Sequence, residues 1–320
     1  MTLGVMGAGA FGTALAVTLA HHSDVVLWAR DAQHARDMAR HAENLARLPG
    51  IRFPDRLRIA QDADDLQVAA TLLLAVPMQS LRGFATTHRT LLEGKTLVAC
   101  CKGAELGTGK GPVAVLRDVV PAATLALLTG PSFADDIARD LPTALTLAAP
   151  DDATAERLQT ALRSDTVRLY RSTDITGAEL GGALKNVVAI GCGAVMGAGL
   201  GESARASVMT RGFAEMQRLA LAEGALRETL SGLSGFGDLA LTCTSAQSRN
   251  YRRGLALGSG EPFDPTVTVE GAATATAVLL RAEAKSIDMP ITAMVTRLLD
   301  GDLSVQDAVR EVLARPLKAE

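Results

Sequence analysis

The chain has 320 residues, 48% of them hydrophobic and 21% charged, with a formal net charge of −3. That length suits roughly two domains with real cores, and the apolar share excludes a disordered polymer. With no basic tail or stripe, nucleic acid and anionic membrane surfaces are not the expected partners, and a small molecule is.

Leu3–Met6 reads as a short strand, followed at once by Gly7-Ala8-Gly9-Ala10-Phe11-Gly12 and an apolar helix over Thr13–His22. Alone, G-x-G-x-x-G is a weak signal. Between a strand and a helix it predicts a dinucleotide cradle. Gly7 permits the tight turn, Gly9 lets a pyrophosphate approach the backbone, Gly12 lets helix and strand pack closely, and the helix N-terminus favours the anion. A second strand, Val25–Ala29, runs into Arg30-Asp31. An acid there would hold a ribose 2′-hydroxyl and an arginine a 2′-phosphate. Arg30 comes first and Asp31 reads equally well as a helix cap, so NADPH is favoured and NADH stays open.

Asp62–Leu66 reads as helical or irregular. Thr71–Pro77 and Thr96–Cys101 are continuous apolar runs, as expected of strands buried on both faces, and Thr124–Thr129, Thr143–Ala148 and Val167–Tyr170 extend the pattern. Helices are expected near Val113–Val119 and Ala153–Arg163. Strands alternating with helices predict an α/β, Rossmann-type, mostly parallel doubly wound sheet. Ligands of such sheets bind outside the strand carboxyl ends, where Ala75-Val76-Pro77, Cys101-Lys102-Gly103 and Gly130-Pro131-Ser132-Phe133-Ala134 stand. Position alone leaves Lys102 open between an anion or carbonyl contact and a solvated loop lysine.

Beyond Gly177 the strand pattern stops. Residues 178–222, 246–257, 271–287, 290–300 and 304–314 read as helices, with a surface loop at Gly258–Pro265. The expected domains are therefore 1–177, for the dinucleotide, and an all-α 178–320, for substrate and catalysis. Lys185 stands in a Gly/Ala-rich stretch, with Gly181 and Ala189 at i±4 leaving room beside the helix for a ring or a substrate. A lysine in a dry site has its pKa moved down toward working pH, as a general acid/base needs; a charged lysine at a helix edge, partnered by water or Glu179, is the plainer alternative. Asp238 falls in a Gly-rich turn, where an Asp is often a cap. Ser248-Arg249-Asn250 at the head of a helix can hold an anion or serve as an ordinary N-cap.

Cys100, Cys101, Cys192 and Cys243 form no C-x-x-C pair and no His cluster adjoins them, so buried thiols are expected and no metal site. The apolar run from Asn186 to Gly201 falls short of the ~20 residues of a membrane span. No basic head or cleavage site precedes the glycine loop. A cytoplasmic protein, with a homodimer as the default assembly, is the expectation.

These residues carry a specific resemblance. GAGAFGTALA (7–16), VVLWARD (25–31), CKGAE (101–105), GPSFA (130–134), LGGALKNVVAIG (180–191), TRGFAEM (210–216), GFGDLALTCTSAQSRN (235–250) and VEG (269–271) span nearly the whole chain in order. Together the chain resembles bacterial-type NAD(P)-dependent glycerol-3-phosphate dehydrogenases. The resemblance implies a Rossmann domain followed by a helical domain like that of 6-phosphogluconate dehydrogenase. It implies reduction of dihydroxyacetone phosphate to sn-glycerol 3-phosphate, the entry to glycerophospholipid synthesis. It makes Lys185 the acid/base, with Asp238 supporting it. Lys102, Gly130, Ser132, Ser248, Arg249 and Asn250 would meet the substrate. Gly7, Gly9, Ala10, Phe11, Gly12, Arg30, Lys102, Ala134, Arg249 and Glu270 would meet the cofactor. Met78 replaces a usual serine, Phe11 a more polar aromatic and Thr268 an apolar residue, and the loop before VEG is short. Two rivals remain: a hydroxyacid dehydrogenase of like architecture, which would need a carboxylate site in place of residues 248–250, and a dinucleotide sensor with no need of Lys185.

Overall fold

Burial on both faces explains why the strands of the first half are unbroken apolar runs. The computed structural model describes residues 2–313. Its strands are β1 (Thr2–Met6), β2 (Asp24–Trp28), β3 (Glu43–Asn44), β4 (Leu48–Arg52), β5 (Leu57–Ile59), β6 (Thr71–Leu74), β7 (Thr96–Ala99), β8 (Thr124–Thr129), β9 (Thr143–Ala148) and β10 (Val167–Ser172). Eight of them form one sheet, in the order β10-β9-β8-β7-β6-β1-β2-β5. All neighbours are parallel except the β8–β9 pair. Alternate residues serve opposite cores. Leu3, Val5, Leu73, Val98, Ala126 and Leu128 pack on one face, and Met6, Leu72, Leu74, Leu97, Leu125 and Leu127 on the other.

The helices that cover the sheet are α1 (Ala10–Leu19), α2 (Ala32–His41), α3 (Leu81–Thr87), α4 (Arg89–Leu92), α5 (Pro112–Val119), α6 (Ala134–Ala138) and α7 (Asp152–Ala161). Chain order steps from β1 to β2 on one side and returns with β6 on the other, so a crevice opens between the carboxyl ends of β1 and β6. The small hairpin β3–β4 and the edge strand β5 go unread in the sequence: at two, five and three residues they are too short to show a period.

The helical half consists of α8 (Ile175–Gly197), α9 (Glu202–Ala222), α10 (Arg227–Ser231), α11 (Asp238–Cys243), α12 (Arg249–Ser259), α13 (Glu270–Glu283), α14 (Pro290–Asp300) and α15 (Val305–Leu313), with a π-helical turn over Leu233–Gly237. The stretch expected to be helical over 178–222 consists of α8 and α9, parted at residues 198–201. The expected border at 177/178 falls in the first turn of α8, whose Ala178 packs into the sheet's own core. Residue 314 of the last expected helix, and residues 315–320 of the second domain, lie outside the described residues. Helix α8 is long and apolar enough to cross a membrane, but 83% of its apolar window is buried inside the protein. It crosses α12 backbone to backbone: a Cβ on Gly193 would strike Tyr251 O, and one on Gly254 would strike Ile190 O. That approach sets Asn250 beside Asn186, next to Lys185.

Candidate active site

The glycine loop lies in the crevice. Gly7 has φ +116, a conformation that side chains rarely adopt, and a Cβ there would lie 2.5 Å from Ala75 O at the end of β6. A Cβ on Gly12 would come within 2.9 Å of Ala75 Cβ, so α1 and the sheet meet through it, whereas a Cβ on Gly9 would meet nothing within 4 Å. Gly9 is the N-cap of α1 and no side chain caps the helix. The first-turn amides, which have no partner within a helix, therefore border an open space bounded by bare backbone. Ala10 and Phe11, both half-buried, form that first turn, and Ala134 opens α6 against the same core. The arrangement fits a dinucleotide pyrophosphate. Arg30 is exposed at the end of β2, and Asp31 caps α2 by accepting from His34 N at 2.8 Å.

A second cluster forms where the helical half meets the sheet. Asp238, 1% exposed, accepts from Lys185 Nζ on Oδ1 at 2.9 Å and from Lys102 Nζ on Oδ2 at 2.6 Å. Lys185 Nζ also donates to Thr242 Oγ1 at 2.6 Å, and Lys102 Nζ to the carbonyl of Gly130 at 2.9 Å. Ser132 Oγ donates to the same carbonyl at 3.1 Å. An ammonium has three donors, so each lysine keeps one N–H with no acceptor among the described residues. Burial lowers the pKa of Lys185 to about 8; the Asp238 carboxylate opposes this and the Lys102 charge adds to it.

Local sequence explains these positions. The small residues before Lys185 admit close neighbours. A Cβ on Gly182 would come 3.6 Å from Lys102 Cγ. The room expected beside Gly181 does not exist, because the backbone of Ser234 in the π turn fills it; a Cβ on Gly181 would clash with Ser234 O. Ala189 is fully buried in the helical core. Asp238 stands at the first position of α11 rather than in an open turn, and that puts Thr242, four residues on, on the same helical face. Read as a turn residue, Asp238 hid this partner; the D-x-x-x-T spacing was the available signal. Glu179 does not reach Lys185. It accepts from Val113 N at the start of α5 at 2.6 Å, and burial raises its pKa to about 7.

The remaining expected residues fall around these two clusters with different freedom. Ser248 caps α12, accepting from Tyr251 N at 3.2 Å. Asn250 donates to Asn186 Oδ1 and accepts from Gly271 N, both at 2.9 Å, which leaves one of its N–H groups. Arg249 is exposed, and its charge acts on Glu270. Glu270 opens α13 and accepts from Met78 N at 3.2 Å; its Oε2 is buried without a partner among the described residues and burial raises its pKa. Met78 itself is in the sheet core, at 1% exposure, so where a serine would offer a hydroxyl this chain offers packing and a backbone amide. Among the described residues no cluster of three His, Cys, Asp or Glu could hold a metal ion, and all four cysteines are free and buried.

Comparison with known proteins meets this geometry at both ends. Residues 2–155 match the family described as NAD-dependent glycerol-3-phosphate dehydrogenase N-terminus, and residues 174–310 its C-terminus. A glycerol-3-phosphate dehydrogenase (NAD(P)+) of Ruegeria sp. (strain TM1040) is 61% identical over 320 residues, all of this chain and all of that one. A crystal structure of glycerol-3-phosphate dehydrogenase from Coxiella burnetii superposes with a TM-score of 0.92 at 36% identity, over 98% of this chain and 99% of that one. A ketopantoate reductase from Ralstonia eutropha JMP134, at 17% identity and a TM-score of 0.63 over 94% of this chain and 97% of that one, shares the fold alone. By the two family matches and by full-length identity, the chain belongs to the NAD-dependent glycerol-3-phosphate dehydrogenases.

Proposed function

We propose that this chain is an oxidoreductase that reversibly reduces dihydroxyacetone phosphate to sn-glycerol 3-phosphate, a glycerophospholipid precursor. The observation that carries the reading is the pair of lysines on one buried carboxylate, each with an N–H to spare, beside a glycine cradle. A nicotinamide dinucleotide in that cradle would supply the hydride. Lys185, protonated, hydrogen-bonds the substrate carbonyl oxygen with its free N–H and delivers that proton to the forming alkoxide. Asp238 and Thr242 fix the ammonium's direction, and the Lys102 charge favours negative charge developing beside the buried Lys185–Asp238 pair. Gly130, Ser132, Ser248, Arg249 and Asn250 are proposed to line the substrate, with Arg249 drawing its phosphate. Gly7, Gly9, Ala10, Phe11, Gly12, Arg30, Lys102, Ala134, Arg249 and Glu270 are proposed for the cofactor.

NADPH is the proposed preference over NADH, supported by exposed Arg30 and by the engagement of Asp31 in a helix cap. A division into two domains, 1–177 and 178–320, is supported in outline by two separate family matches, which part across residues 156–173, just ahead of that border. A homodimer through the helical half is supported by exposed Leu200, Leu226, Phe236 and Leu280, and a cytoplasmic location by four free buried thiols. The test is the initial rate of NADPH and, separately, NADH oxidation with dihydroxyacetone phosphate. Fast consumption, better with NADPH and less selective in Arg30→Ala, is the expected result. Cofactor binding without consumption would overturn the substrate and bring the hydroxyacid and sensor readings forward.

A further inference from the structure

Asn44 belongs to none of the motifs above, yet it is fully buried and both ends of its amide are in use. Its Nδ2 donates to the Ala8 carbonyl at 3.0 Å and to Thr13 Oγ1 at 2.7 Å. Its Oδ1 accepts from His34 Nε2 at 2.9 Å and from Arg47 N at 3.2 Å. A carbonyl can only accept, so Ala8 fixes the amide's orientation, and His34 must carry its proton on Nε2. The two atoms that Nδ2 holds flank Gly9–Gly12 along the chain, one before it and one after. Ala8 is the peptide between Gly7 and Gly9, and Thr13 sits in the first turn of α1. A loop with three glycines has much backbone freedom to lose on ordering, and an outside restraint lowers that cost for the ligand. Through His34 the same amide is tied to α2, whose cap, Asp31, directly follows Arg30.

We propose that Asn44 is a positioning residue for the dinucleotide: it clamps the Ala8 peptide and the start of α1 so that the helix's first-turn amides face the pyrophosphate, and it fixes that loop relative to the strand end that carries Arg30. The proposal rests on the dinucleotide reading above. It gives the β3–β4 hairpin a purpose, since the hairpin delivers the one side chain, among the described residues, that hydrogen-bonds the loop from outside. Lys185, Asp238 and Thr242 lie in the other half of the chain, so the clamp acts on cofactor binding and not on proton transfer.

The test uses the full-length enzyme with Asn44→Asp, which keeps the shape but sets an acceptor against the Ala8 carbonyl, and with Thr13→Val and Thr13→Ser. Cofactor KM and calorimetric ADP-ribose affinity are read beside kcat and the dihydroxyacetone phosphate KM at saturating cofactor. Asn44→Asp should raise cofactor KM and weaken ADP-ribose by about 10- to 100-fold, with the substrate KM and kcat within about 3-fold of wild type. Thr13→Val should show the same split at roughly 3- to 10-fold, and Thr13→Ser should restore it. Unchanged ADP-ribose affinity in both Asn44→Asp and Thr13→Val overturns the proposal. So does a loss spread equally over kcat and both KM values, which would mark a merely structural residue. If Asn44→Asp does not fold, the Thr13 pair decides by the same criteria. A wild-type protein that binds ADP-ribose but leaves dihydroxyacetone phosphate untouched sinks the substrate reading, and the binding arm still judges Asn44. A wild type that binds no ADP-ribose sinks both.

Discussion

The two ends of the site are made of different material. At the crevice between β1 and β6 the surface proposed for the cofactor is backbone: a bare loop, the start of α1 and a glycine that leaves space. At the meeting of sheet and helices it is side chain: two lysines, a buried carboxylate and a hydroxyl, with Lys102 and Asp238 separated by 136 positions in the chain. The backbone end is robust to most substitutions and vulnerable to added bulk or lost restraint. The side-chain end is vulnerable to the loss of single atoms. Catalysis needs charge that develops at one atom to be met by a proton at one atom, and only side chains deliver that. Binding a long anion needs many modest donors, and backbone suffices.

The sharpest way to break this comparison is Lys185→Ala. Turnover should fall on the order of 100-fold or more while cofactor affinity, by calorimetry or quenching, stays near wild type. Near-normal turnover would show that the lysine end does no proton chemistry. Asp238→Asn comes next, with a loss of about 10- to 100-fold and a telling pH shift. On the proposed mechanism reduction requires protonated Lys185, so the wild-type reduction rate should fall as pH rises through about 8, and the oxidation rate should rise there. Removing the carboxylate removes what holds that pKa up, so the fall should begin at lower pH in Asp238→Asn. A profile that moves to higher pH, or not at all, would separate Asp238 from Lys185. Asn is the better probe than Ala, because a cavity between the buried Lys185 and half-buried Lys102 ammonium groups costs stability as well.

Thr242→Val sharpens the comparison rather than breaking it. The hydroxyl accepts from Lys185 and donates to Asp238 O at 2.6 Å, so its loss should loosen the ammonium's direction without removing the proton. A kcat decrease of about 3- to 10-fold with unchanged cofactor KM is expected. An increase in cofactor KM alone would assign Thr242 to the other end of the site.

The same contrast decides what can be read from sequence. The cradle is contiguous: strand, glycines and helix follow one another within Thr2–Leu19, and TLLLAVP announces the buried strand beside them. Lys185 and Asp238 are visible as motifs, but their partners depend on how α8 meets α11 and the π turn, which no local pattern records. Hence Gly181 reads as open space when Ser234 fills it, and Thr242 escapes notice because Asp238 reads as a turn residue rather than the start of a helix. Asn44 is the extreme case. Its strand is two residues long, and its proposed role rests chiefly on contacts with residues more than thirty positions earlier, at Ala8 and Thr13.

Glu179 yields the smallest expected effect on rate and the clearest on stability. Its carboxylate lies on α8, the helix of Lys185, yet serves the scaffold, accepting from Val113 N at the head of α5. Burial raises its folded pKa from 4.5 to about 7. The folded protein therefore holds a proton between those values that the unfolded chain has lost, so stability is fully present below about 4.5 and declines as pH rises through about 7. Glu179→Gln keeps an acceptor for Val113 and removes the charge. It should melt higher than wild type at pH 8, by an amount corresponding to on the order of 2 kcal/mol, and the gain should vanish at pH 4.5. Turnover at pH 7 should change little, because the carboxylate faces neither the cradle nor Lys185. A variant equally stabilised at both pH values, or destabilised at pH 8, would mean that Glu179 is held charged after all. The helix that carries Lys185 would then be anchored to α5 by an ionised cap rather than by a neutral one.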